Sequence, residues 1–376
     1  MQLGRRQQVT TMGAVVVATA LSLAACSSSS SSSSPPSTSG SGAATSSSAS
    51  SSASTSTSTA SGTIKAAGST FQTNFQQGAI SAFKSVDPNA TVDYASVGSG
   101  SGRADLYANT VLFAGSDSPI PAKEASKVPA GKTVLYFPVQ IGPIAMAYNL
   151  PGVTGLKLDA TVLAGIFQGT IKTWDDPAIK ALNSGMSLPS TTITLAVRSD
   201  SSGTTANFSQ YLVDAAGSAW KLGTSSTITW PSTAHAGDGG SAVAQIVKST
   251  TGAIGYVDFS TATATGLHAA EVKNSAGDYV APSSASATAS ATHVTPKANL
   301  TFAAADEPGA TSYPITYQSW DLVYSVQPNA TDVSLLKAYL GYLLGAGQQL
   351  LTPLNLAPLP SAIDQAAIAQ LSKITS

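Results

Sequence analysis

The chain has 376 residues, of which 10% are charged, against about 25% in an ordinary soluble domain. Its 18 Lys and Arg stand against 19 Asp and Glu, a formal net charge of −1, which excludes a nucleic-acid binder held by a basic surface. Hydrophobic residues make up 43% and aromatic residues 7%, apolar material enough for one large domain or two of ordinary size.

Residues 1–25 read as a signal peptide. Arg5 and Arg6 form a basic start, an apolar run extends from Met12 to Ala25, and small residues precede Cys26. The run is short for a membrane span and ends as a cleavage site would. A Cys directly after such a stretch resembles a bacterial lipobox, whose thiol is acylated and becomes the mature N-terminus. Cys26 is the only cysteine in the sequence, so intramolecular disulfides and Cys-rich zinc sites are excluded. With Arg5 and Arg6 removed, the remaining basic residues leave the mature chain near −3 against its 19 acidic ones. From Cys26 to residue 62 the chain is almost wholly Ser, Thr, Ala, Gly and Pro. Such a tract cannot bury a core, and as a flexible coil it would reach on the order of 30–36 Å. It is expected to tether a folded body to a lipid anchor.

The body from 63 onward alternates strand-like and helix-like stretches. Helical spacing of Phe71, Phe75, Ala79 and Phe83 predicts an amphipathic helix over 69–84. Strands are expected at 91–97, near 111–114, at 192–197 and at 252–259, where β-branched or aromatic residues lie beside Gly turns. Further helices are expected at 103–109, 161–168, 203–216, 241–248, 333–345 and 361–373. Asp175-Asp176-Pro177 reads as a helix start, and the Ser/Ala patch at 283–292 as a surface-loop insertion. The alternation predicts an α/β fold with largely parallel sheets.

Three turns rich in Gly, Ser and Thr each open a helix: Ala67-Gly68-Ser69-Thr70-Phe71, Gly98-Ser99-Gly100-Ser101-Gly102, and Arg198-Ser199-Asp200-Ser201-Ser202-Gly203-Thr204. Glycines allow tight turning, and Ser or Thr supplies a cap and a hydroxyl. The first N–H groups of a helix have no internal partner and sit at the positive end of its dipole, where an anion can be held. Any one such turn is an ordinary cap in a chain this rich in Ser and Gly. Three of them, with Arg198 in one and Asp117 nearby, point to an anion site.

Signatures of enzymes are mostly missing. The sequence has no phosphate-cradling P-loop, no nucleophile elbow and no run fitting the dinucleotide fingerprint at Gly98, where Arg103 takes the place of the last glycine. His235, His268 and His293 are scattered, so neither a metal site nor a His-based triad is expected.

In this order, the Ala67–Phe71 turn, Gly98–Gly102, Gly115-Ser116-Asp117, Ile171–Asp176, Arg198-x-Asp200-x-Ser202-Gly203-Thr204, Trp230-Pro231 and Gly252–Tyr256 resemble the phosphate-binding proteins of phosphate-specific ABC importers. The likeness runs over roughly 63–370, with Leu112 standing where the family commonly has Asp. It implies a two-lobed, periplasmic-binding-protein-like α/β clamp, each lobe a mostly parallel sheet flanked by helices. Residues 63–141 with 313–376 would form lobe I and 142–312 lobe II, with chain crossings near 141 and 313. It implies no catalysis, cofactor or metal, and a monomer that binds inorganic phosphate outside the cytoplasm, anchored to the membrane through Cys26, for delivery to a membrane permease. The family's ligands fall on Thr70, Phe71, Ser99, Asp117, Arg198, Asp200, Ser202, Gly203 and Thr204.

In that reading Arg198 supplies charge in a fork suited to phosphate oxygens, and Asp200 orients it. Asp117, able only to accept when ionised, takes a hydrogen bond from a protonated phosphate oxygen. A binder of another tetrahedral oxyanion, or a secreted phosphatase reusing the cleft, remains an alternative at this point.

Overall fold

The computed structural model describes residues 61–376; the expected signal peptide, Cys26 and the Ser-rich tract as far as residue 60 lie outside the described residues. In the first part, β1 (Gly62–Gly68) leads through a 3-10 turn at Thr70–Gln72 into α1 (Thr73–Val86). Then come β2 (Ala90–Ser96), α2 (Ser99–Tyr107) and β3 (Phe113–Ser116). Phe75, Ala79 and Phe83 form the buried side of α1, the face that their spacing predicts. β1 pairs in parallel with both β2 and β3.

The 15-residue β4 (Val134–Tyr148) is buried almost throughout, and it leads into the second part. There β5 (Lys157–Leu158), α3 (Ala160–Phe167) and α4 (Pro177–Leu182) precede β6 (Thr194–Arg198), α5 (Gly203–Ala216) and β7 (His235–Gly237). They are followed by α6 (Gly239–Ser249), β8 (Ala253–Asp258), α7 (Phe259–Thr265), β9 (His268–Ala269), β10 (Glu271–Lys273), β11 (Tyr279–Val280) and α8 (Ser284–Ala291). The chain returns through β12 (Thr316–Tyr324) to α9 (Ala330–Leu344) and α10 (Ser361–Gln370). Asp176 caps α4 as its sequence position suggested, accepting from Ala178 N at 2.9 Å.

One sheet joins the parts in the order β2-β1-β3-β12-β4-β8-β6-β7, with β9 also beside β4; β11, β10 and β5 form a small second sheet. The outer pairs are parallel, including β6 with β7 and β8. The middle is antiparallel: β12 pairs with β3 and β4, and β4 pairs with β8. Parallel sheets are therefore confined to the ends, because the two central strands run against their neighbours. β4 changes partner along its length, pairing with β12 from Val134 to Pro143 and with β8 from Ile144 to Tyr148.

The patch at 283–292 is not a surface loop. It forms α8, capped by Ser283, with Ala287, Ser290 and Ala291 buried. Ser290 donates to the Tyr313 carbonyl at 3.0 Å and Ser284 to that of Leu356 at 2.7 Å. Low complexity misled here because Ala and Ser, poor markers of a core, are the side chains that let a helix lie close against its neighbours. A large apolar core runs from α1 and α9 through β4 and β12 to the aromatic group of Phe167, Phe208, Trp230 and Tyr256. That last group bears directly on the cleft.

Candidate functional site

The three turns singled out by their composition converge. Gly68 and Gly98 have φ of +149° and +85°, conformations that side chains disfavour. A side chain on Gly68 would also collide with the backbone of Gly115, and one on Gly98 with the Asp200 carboxylate. Gly100 N donates to the Ser201 carbonyl at 2.9 Å, tying the second turn to the third. A Cβ on Gly203 would lie 2.6 Å from Asp117 Oδ2 and clash with Ser99 Oγ, so the start of α5 packs directly on the end of β3.

Arg198 ends β6 and is buried to 5% exposure. Its Nε donates to Asp200 Oδ1 at 2.6 Å and its Nη2 to Asp200 Oδ2, a two-point pair that fixes the guanidinium plane. Burial works against the arginine charge, but Asp200 outweighs it and holds the group more firmly protonated than usual. The Tyr256 hydroxyl accepts from Arg198 N at 3.0 Å and is 2.8 Å from Thr205 Oγ1. The aromatic group thus sets the height of both strand end and helix start. Ser202 caps α5, accepting from Thr205 N at 3.1 Å.

Asp117 follows β3 and is 1% exposed. Oδ1 accepts from Ser69 Oγ at 2.5 Å and Ser319 Oγ at 2.6 Å; Oδ2 accepts the longer bond from Ser99 Oγ at 3.2 Å. Burial pushes its carboxyl up to about 6, against the pull of the Ser319 and Ser69 hydroxyls, the Arg198 charge and Ser99. Oδ2, the less engaged oxygen, is the one facing Gly203 at the positive end of α5. Arg103 stays out of the cleft. Fully buried, it pairs with Glu124 at 2.9 Å and donates to Ser116 Oγ at 3.1 Å and Ser118 Oγ at 3.4 Å, bracing the turn on both sides of Asp117.

Thr70 and Phe71 reach the same place differently. Thr70 Oγ1 accepts from Gly240 N at 3.4 Å, at the start of α6. Phe71 N donates to its own cap, Ser69 Oγ, at 3.1 Å, and the Phe71 ring stacks on Tyr317 at 4.0 Å. Thr204 is 3% exposed at the start of α5. The structure therefore brings together the turns that carry the nine candidates: Gly203 lies on Asp117 and Ser99, Gly100 is bonded to Ser201, and Gly239 and Gly240 at the start of α6 reach Asp200 and Thr70.

Several contributors were not anticipated. Ser69 and Ser319 satisfy Asp117 Oδ1; Asn207 Nδ2 and Gln318 Nε2 donate to the Asp117 carbonyl at 2.7 and 3.4 Å; Gly239 N donates to Asp200 Oδ1 at 3.2 Å. Ser69 lay within a turn already singled out. For Gln318 and Ser319 the usable signal was the polar run Thr316-Tyr317-Gln318-Ser319 at the start of a strand whose every residue is buried, since buried polar side chains need partners; Asn207 and Gly239 carried no such signal. Among the described residues no group of His, Cys, Asp or Glu could hold a metal ion.

A model of the PBP superfamily domain matches residues 53–346. The chain is 35% identical over 311 residues to phosphate-binding protein PstS 3 of Mycobacterium leprae, covering 80% of this chain and 84% of that one. It is 37% identical over 311 residues to PstS 3 of Mycobacterium tuberculosis, covering 79% and 83%. In fold it is similar to a high-affinity periplasmic phosphate-binding protein, PfluDING, solved with phosphate bound, with a TM-score of 0.69 and 22% identity over 82% of this chain and 94% of that one.

Proposed function

We propose that this chain, which belongs to the PstS family of phosphate-binding proteins within the PBP superfamily, binds inorganic phosphate in the cleft between Asp117 and Arg198 and passes it to an ABC import permease. The observation that carries this reading is the Asp117 Oδ2 atom. It is a buried acceptor with one long hydrogen bond, facing a helix N-terminus across from a guanidinium. Such a place attracts an anion and yet offers it a carboxylate, which favours an anion that carries a proton. Phosphate at neutral pH carries one and sulfate does not.

In this reading Arg198 binds two phosphate oxygens, Asp200 positions it, and Thr70, Ser202 and Thr204 donate hydroxyl hydrogens, as does Ser99 once the proton of the phosphate takes its place on Asp117 Oδ2. Gly203 and Thr204 add backbone N–H groups at the start of α5, and Phe71 closes the cleft wall against Tyr317. Sulfate would leave Asp117 without its bond and bring like charges together, costing on the order of 2–5 kcal/mol, or roughly 30-fold to several thousand-fold in affinity. The clamp would bend where β4 changes partner after Pro143 and where β12 begins at Thr316, dividing lobe I (63–141 with 313–376) from lobe II (142–312).

The leader and Cys26 support export and acylation, with the Ser-rich tract spanning from membrane to body. Mass spectrometry of the N-terminal peptide would show the lipid on Cys26, and Cys26→Ala would release the protein to the medium. Calorimetric titration of the protein with phosphate and sulfate tests the central reading: micromolar or tighter phosphate binding with weak sulfate binding is expected, and equal affinities would overturn it. Turnover of a chromogenic phosphate ester would point instead to a phosphatase.

A further inference from the structure

Tyr317 sits on β12 opposite Gly142, next to the point where β4 exchanges one sheet partner for another. Its side chain is fully buried, with the ring stacked on Phe71 at 4.0 Å and an angle of 24°. Its hydroxyl makes no hydrogen bond of good geometry, and the one polar side chain acting on it as a hydrogen-bonding neighbour is Thr204, itself a candidate ligand. A buried phenol left unpaired is costly, and the groups acting on this one are those of the cleft. Burial, with the Asp258 and Asp117 carboxylates, holds its proton on, while Thr204 and Arg198 act in the other direction. The phenol is therefore a hydrogen-bond donor at any physiological pH. Asp258, whose Oδ1 accepts from Thr261 N at 2.8 Å and Ser260 Oγ at 3.2 Å, acts on it by charge and not as a hydrogen-bond partner.

We propose that the Tyr317 hydroxyl is a further ligand of the bound anion, donated from the crossing strand rather than from a helix N-terminus. The proposal rests on the phosphate reading of the cleft and adds a residue that its three turns do not contain. It also assigns that residue a different part in selectivity. Asp117 demands a proton from the ligand, whereas a phenol needs only an acceptor oxygen and so serves phosphate and sulfate alike. The stacking of Tyr317 on Phe71 fixes the donor by packing before an anion arrives, which saves the ordering cost of a mobile side chain.

Tyr317→Phe keeps the ring and its stacking and removes the oxygen alone. Calorimetry on the protein and this variant should show phosphate bound about ten- to a hundredfold more weakly, with the phosphate-to-sulfate ratio retained. The melting temperature without added anion should stay level or rise, because an orphaned hydroxyl has been deleted. A variant that binds phosphate within twofold of the parent overturns the proposal, as does one whose phosphate-free melting temperature falls, since the hydroxyl would then serve the fold. A parent protein that binds no phosphate overturns this proposal and the phosphate reading together; a parent that binds, matched by Tyr317→Phe, overturns this proposal alone.

Discussion

Two aspartates, Asp117 and Asp200, stand in the proposed site, and the difference between them is how, on that reading, one site would attract an anion and still discriminate. Asp200 has both oxygens engaged by Arg198 and receives Gly239 N as well. Its charge is paired before any ligand arrives, so in the proposed reading it would act on phosphate by holding the guanidinium plane. Asp117 is met by hydroxyls alone, and burial drives its carboxyl up to about 6. In the proposed reading the same side chain, placed beside a cation or beside hydroxyls, would be a strut in one case and a sensor of ligand protonation in the other.

The largest break in this comparison should come from Arg198→Ala, which removes the attracting charge and strands Asp200. Truncating one member of such a pair costs about 2–5 kcal/mol or more, so titration should show phosphate affinity down by roughly a thousandfold. Retained binding would place the anion elsewhere. Asp117→Asn should act on discrimination more than on attraction. Its amide can donate to sulfate, and the ratio of phosphate to sulfate affinity should collapse by roughly 30-fold or more; an unchanged ratio would sink the protonation argument.

The pH dependence sharpens the same contrast at smaller amplitude. As pH falls through about 6, Asp117 becomes protonated and can donate, so sulfate binding to the parent should strengthen by about tenfold or more while that of Asp117→Asn stays flat. Sulfate titrations at pH 5 and 8 on both proteins would check this.

The smallest effect concerns stability and a third carboxylate, Asp321 on β12. It is fully buried, is paired with no cation among the described residues, and receives Gln76 Nε2 at 3.4 Å. Burial pushes it up to about 7, against the pull of Gln72 and Gln76. A carboxyl raised in the folded state contributes stability that is fully present below its unfolded value near 4 and lost as pH rises through the folded value. The phosphate-free protein should therefore melt lower at pH 8 than at pH 5. Asp321→Asn should recover about 1–3 kcal/mol at pH 8, and a variant no more stable there would contradict the assignment.

Much of the site was legible because its chemistry is local. A cap, a glycine at positive φ and an unpaired N–H all arise within a few residues of one another, so the turns at 67–71, 98–102 and 198–204 could be read as anion-competent before their positions in space were known. The α1 face followed from periodicity in the same way, and the helix expected over 203–216 stands as α5. Ser319, Gln318, Asn207 and Tyr317 could not be assigned so. Their partners are distant in sequence, as with Ser319 and Asp117, 202 residues apart, and nothing in a short window reveals such a pairing. The patch at 283–292 failed for a related reason: whether Ala and Ser lie in a loop or against a core depends on what approaches them.

By itself, then, the sequence determined the alternation of strands and helices, the three helix starts with their hydroxyls, and the presence of one arginine and two aspartates among them, because each rests on short-range geometry and side-chain type. Tertiary structure alone decided which serine hydroxyls meet Asp117, that β4 serves both parts of the sheet, and that a tyrosine on the crossing strand is buried with its ring stacked on Phe71. Charge pairing, desolvation and strand register depend on what lies across the fold, and that proximity exists only once the chain has closed on itself.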